Sequence, residues 1–117
     1  MHFKNDPFNR NSLSDDFIEA LILASDGNLW AGTWGGGINI LDPVTGNARR
    51  YMHNPKDTSS ILSDYIRCIY QDNQGIIWIG TSKGFAKYSK GKFINYPLTS
   101  VYAFFREKEI LWLATDK

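Results

Sequence analysis

The residues best equipped for chemistry gather in and around "LWAGTWGGG", Leu29 to Gly37, where two tryptophans and four glycines fall within nine positions. A glycine-rich run of this kind can cradle a phosphate, but that mechanism needs a following lysine and a strand-to-helix transition, and neither accompanies Gly32 to Gly37. Zinc chemistry is poorly served: His2 and His53 have no further ligand at metal spacing, and Cys68 is a single cysteine, read as a small buried hydrophobe. The acid pairs Asp15 with Asp16 and Glu107 with Glu109 suit turns and solubility, with nothing visible to raise a carboxylate pKa. No catalytic residue, metal ligand or cofactor site is assigned. What remains is binding chemistry, in which an exposed Trp34 stacks on a sugar ring while aspartate and lysine bond its hydroxyls. A solvated loop is the plainer alternative for Trp34.

The elements that position these residues follow from a repeat. "GNLWAGTWGG" from Gly27 overlays "GIIWIGTSKG" from Gly75 at an offset of 48 residues. "LSDDFIEALIL" from Leu13 matches "LSDYIRCIYQ" from Leu62, with a one-residue slip absorbed in the loop. A third copy in "LTSVYAFFREKEILWLAT" keeps Trp112 and Thr115 at the spacing of Trp30 to Thr33, with Glu109 in place of the turn glycine and Ala114 in place of the second glycine.

Turn residues divide each period into four strands. The first copy predicts strands at 17–24, 29–33, 37–41 and 48–52; the second predicts 65–71, 76–81, 85–89 and 92–96; the third predicts 100–106 and 110–115. Glycine, asparagine and aspartate in "SDGN", "DPVTGN" and "DNQG" supply the positive φ that tight turns require. Ile18, Ala20 and Ile22 are expected on one face of the first strand, matching Ile66, Cys68 and Tyr70, then Val101, Ala103 and Phe105. Repeated four-stranded meanders with one tryptophan in register predict an all-β propeller, here about two and a half blades. The chain divides into blade 1 at about 13–52, blade 2 at about 62–96 and a partial blade 3 at about 98–117, with 1–5 as the outer strand of a neighbouring or swapped blade.

Within that frame Trp30, Gly32, Thr33, Trp78, Gly80, Thr81, Trp112 and Thr115 are structural repeat positions. The tryptophans pack between blades, the glycines permit close approach, and the threonines bond across turns. Trp34 breaks the repeat, because its counterpart is Ser82. A meander places the loop between its second and third strands at the same end as the blade connections, which groups Trp34, Lys83, Asp15, Asp16, Asp64 and Tyr65 with the long connection "HNPKDTSSILSD". Glu19 and Arg67 occupy equivalent places on the innermost strands, where they either line a central channel as part of a polar site or form an inter-blade ion pair.

"LSDYIRCIYQDNQGIIWIGTSKG" and "LSDDFIEALILASDGNLWAGTWGG" resemble the two-component-regulator propeller repeat: leucine-serine, a β-branched strand, an Asp and Gly turn, then Trp-Ile-Gly-Thr. The first copy departs at Ala24, where the first turn aspartate is expected, and the second at Gln74. The resemblance implies a propeller of about seven blades in the periplasmic sensor half of hybrid two-component kinases, frequently those detecting glycan breakdown products. It makes the chain a non-catalytic sensory module, and a fragment of such a sensor or a truncated product. An interaction or dimerisation scaffold without a small ligand is the alternative. A propeller glycosidase or lyase is a third reading, weakened by the absence of an assignable acid and nucleophile pair.

The expected partners follow. With 13 basic and 12 acidic residues interspersed, the net charge of +1 gives no footprint for nucleic acid or an anionic membrane. The sequence holds neither a signal peptide nor a run long enough to span a bilayer. Open blade edges favour self-association, with three copies supplying about seven blade equivalents in a closed ring. An oligosaccharide is the partner expected of a complete receptor.

Overall fold

A computed structural model describes residues 18–107 and 110–115, the side chains of 105–107 and 110–112 excepted. The expected strand at 1–5 and the residues Asp15 and Asp16 lie outside the described residues, as does the side chain of Trp112. Among the described residues, ten strands form three antiparallel sheets. The first contains β1 (Ile18–Leu23), β2 (Leu29–Thr33), β3 (Ile38–Leu41) and β4 (Ala48–Tyr51) in that order. The second contains β5 (Ile66–Gln71), β6 (Ile77–Thr81), β7 (Gly84–Ser89) and β8 (Lys92–Pro97), again in chain order. The third pairs β9 (Val101–Glu107) with β10 (Ile110–Thr115). Strand β1 packs beside β5 and β5 beside β9, so the first strands of successive meanders stand together as in a propeller.

Turn chemistry fixes the hairpins. Gly27 and Gly75 take φ of 91° and 85° at the β1–β2 and β5–β6 turns, where an L side chain would be strained. Asp72 organises the second of these turns: its carboxylate accepts the Gln74 and Ile76 N–H groups at 2.9 and 3.0 Å and the Trp78 indole N–H at 3.0 Å. Ala24, in the corresponding place, keeps only main-chain bonds, to Asn28 and Gly27. Asp26 compensates in part by accepting the Asn28 N–H at 3.0 Å. On the opposite side of each meander, the Thr33 hydroxyl donates to the Gly37 carbonyl and the Thr81 hydroxyl to that of Gly84, both at 3.0 Å.

The core lies between the first two sheets. Trp30, 3% exposed, meets Tyr88 of the second sheet edge-on at 4.7 Å, and Tyr51 meets Phe93 at 5.6 Å. The corresponding Trp78 is only half-buried, beside Phe85 and under the Lys87 ammonium group.

The expectation that Ile66, Cys68 and Tyr70 share a face is wrong. Each first strand carries a β-bulge, which leaves Glu19 unpaired between Ile18 and Ala20, Arg67 between Ile66 and Cys68, and Tyr102 between Val101 and Ala103. One extra residue reverses the alternation of side chains. Ile66 therefore packs back against Gly32 of the first sheet, whereas the Cys68 thiol meets the Val101 carbonyl and Tyr70 stacks near Phe104 of the third. Val101 repeats the move of Ile66 by packing back against Gly80. Ile18, the counterpart of Ile66 on β1, is 40% exposed while Ala20 and Ile22 join the core.

Candidate functional site

The bulge that reverses Ile66 also aims Arg67 out of the strand ladder, where three sheets contribute to its surroundings. The guanidinium carbon lies 4.5 Å from the centre of the Trp34 ring and 4.4 Å from that of Tyr102. The Arg67 Nε–H donates to the Ser100 hydroxyl at 2.7 Å. Trp34 comes from the β2–β3 turn, Arg67 from β5, and Ser100 and Tyr102 from the start of the third sheet. Tyr65 completes the cluster, edge-on to Trp34 at 4.8 Å.

The backbone holds these groups in place. Trp34 and Tyr65 form an isolated antiparallel bridge, and the Gly35 and Gly37 N–H groups both donate to the Asp64 carbonyl, at 3.0 and 2.9 Å. The blade connection is bound on its other flank by the Ser82 N–H to the Tyr65 carbonyl at 3.1 Å and by the Ser63 and Ser82 hydroxyls at 2.9 Å. An irregular segment satisfied in this way presents its side chains from a fixed frame. Trp34, Tyr65 and Tyr102 nevertheless remain 36, 46 and 44% exposed.

Of the residues expected at this end, Trp34 and Tyr65 come together, and Arg67, expected on the innermost strand, joins them. Asp64 is present with one carboxylate oxygen engaged: its Oδ1 accepts the His53 N–H at 2.6 Å, while the His53 ring bonds the Ile61 carbonyl. Lys83 is exposed in the β6–β7 turn, its carbonyl accepting the Leu98 N–H, and its ammonium group makes no hydrogen bond or ion pair among the described residues. Glu19 is exposed at the β1 bulge and is not ion-paired to Arg67, whose cation is engaged by aromatic rings instead. Asp16 lies outside the described residues. Tyr102 and Ser100 escape the sequence reading, although Tyr102 follows Val101 as Arg67 follows Ile66, a correspondence that points to the same slot.

Cys68 is adjacent to Arg67 in sequence but belongs to the interior. Burial pushes its thiol up to about 11, only partly offset by a hydrogen bond with Gly80. It is protonated at neutral pH and adds no nucleophile to the site.

Residues 12–35 and 60–83 match the sequence profile described as two component regulator propeller. The chain resembles the solved extracellular domain of BT3049, a protein of B. thetaiotaomicron assigned to the hybrid two component systems, with a TM-score of 0.73 and 24% identity over 97% of this chain and 16% of that one. It resembles that of BT4673, similarly assigned and from the same organism, with a TM-score of 0.70 and 23% identity over 85% of this chain and 15% of that one. The chain thus spans about a sixth of either structure. No curated protein matches it. Among the described residues no helix is long and apolar enough to cross a membrane. Two segments of the chain thus match the two component regulator propeller profile, and they lie in adjoining four-stranded blades of the fold that those extracellular domains share.

Proposed function

We propose that the chain is a non-catalytic ligand-binding portion of an extracytoplasmic sensor, and that its ligand is a fragment of a glycan. The observation that carries this reading is the open cluster of Trp34, Tyr65 and Tyr102, contributed by three blades and fixed by backbone bonds. Aromatic rings that stay exposed on a rigid frame suit the apolar face of a sugar ring. The profile match and the extracellular domains with the same fold support a sensory setting outside the cytoplasm. Calorimetric titration with a panel of oligosaccharides tests it: at least one binds, and Trp34→Ala weakens that binding about tenfold. A panel without a binder, or binding indifferent to Trp34→Ala and Tyr65→Ala, would reject this site. Turnover of any glycoside would reject the non-catalytic assignment.

Self-association is a second reading, favoured by β1, where Leu21 and Leu23 are 58 and 68% exposed on the face turned from the core. A second copy of this chain is the occupant we assign to that face, in line with the three-copy ring expected from the open blades. Light scattering checks it: the wild type is oligomeric, and Leu21→Lys with Leu23→Lys lowers the mass. A monomeric wild type at micromolar concentration sinks it.

A further inference from the structure

We infer that the cluster receives an anionic group, a carboxylate or a sulfate ester carried by an acidic saccharide, and that Arg67 is the residue that binds it. The inference rests on the ligand-binding reading above and specifies its chemistry.

The first support is the way Arg67 is held. Rings of Trp34 and Tyr102 cover the guanidinium at 4.5 and 4.4 Å, and the Nε–H is taken by Ser100 at 2.7 Å. The donors left are those on the two Nη atoms, and no carboxylate among the described residues pairs with them. A guanidinium held against two rings and at Nε presents the remaining donors as a planar fork, which matches two oxygens of a carboxylate or sulfate.

The second support is what surrounds it. The Asp64 carboxylate, the acceptor best placed in sequence to bond neutral hydroxyls, accepts a main-chain N–H, and Glu19 stands one blade away on β1. The charged side chain set among these rings is therefore a cation, with its Nη donors beside open aromatic surface. With Tyr65 exposed beside Trp34, a sugar ring can rest on the aromatic surface while its acidic substituent reaches the fork. An Arg67 serving only to tie the blades together would give stability and no ligand preference, and that difference is measurable.

The test titrates the 117-residue chain with a uronic-acid disaccharide, a sulfated disaccharide and the uncharged parent of each, at two ionic strengths. At least one acidic saccharide binds about tenfold or more tightly than its uncharged parent, and its affinity falls as salt rises. The better acid, carboxylate or sulfate, identifies the group. Arg67→Ala lowers that affinity about ten- to a hundredfold, and Arg67→Lys loses most of it, because an ammonium group keeps the charge without the fork. Thermal melts of both variants verify folding, and Arg67→Lys carries the test if Arg67→Ala does not fold. Equal binding of charged and uncharged saccharides, unchanged in the Arg67 variants, overturns the anion inference and leaves the glycan reading standing. Failure of every saccharide to bind removes both.

Discussion

Ile66 fills the space that Gly32 leaves open: a Cβ built on Gly32 would run into Ile66 Cγ2, and Ile66 has no exposed surface. The glycine of Trp-x-Gly-Thr is thus a socket at the face of the next blade: Ile66 fills that of Gly32, whereas the Cys68 thiol of the same blade shares that of Gly80 with Val101. A methyl group at Gly80 would also meet the Val101 carbonyl, which a side-chain rotation cannot relieve. Gly80→Ala and Gly32→Ala should each cost about 1–3 kcal/mol by overpacking, read from urea unfolding. Pairing Gly32→Ala with Ile66→Ala should recover part of the loss, and additive losses would refute the socket.

Asp72 gives a second prediction. Its carboxylate serves two turn N–H groups and the Trp78 indole, so Asp72→Ala should cost about 2–3 kcal/mol and shift tryptophan emission to the red. The first blade folds with Ala24 at this place. Were Asp72→Ala neutral, the main-chain bonds of the second turn would suffice to hold it.

The turns and strands were legible because glycine, aspartate and tryptophan recur for local reasons. Gly27 and Gly75 need positive φ, and the ten strands expected from the three copies form, with ends displaced by at most one residue where they can be compared. The bulge was not legible, since it adds no distinctive residue: Glu19, Arg67 and Tyr102 share only a backbone place. Alternation read without it puts Ile66 on the wrong face. The meeting of Trp34 with Arg67 was hidden for another reason, as it depends on the offset between two blades, which neither blade's own pattern contains.

The Cys68 thiol, raised by burial to about 11, links stability to alkaline pH. Unfolding restores it to about 9, so between pH 9 and 11 the unfolded chain loses a proton that the folded chain keeps. Cys68 therefore lowers stability as pH rises through this window, by about 2 kcal/mol, and the slope is shallower in Cys68→Ala, where Tyr88, also raised by burial, still contributes above pH 10. Alkylation of native Cys68 should accelerate steadily with pH up to about 11. A plateau near 9 would contradict its burial.

Trp34 and Arg67 should be coupled in the absence of ligand. An exposed cation–π contact contributes about 0.5–1 kcal/mol, so a cycle of Trp34→Ala, Arg67→Ala and the double variant should return a coupling of that size. The Tyr102 and Arg67 cycle should match it. Zero coupling in both would mean the guanidinium is not held by the rings in solution.

The bulge separates what a blade is from what it presents. Glu19, Arg67 and Tyr102 occupy one backbone slot as an acid, a base and a phenol, while the strands on either side keep the same pairing. Because the slot lies outside the ladder and outside the sockets, its occupant can change without repacking the wheel. A propeller made of such blades is a keyboard, with the same mechanism under each key and only the lettering different.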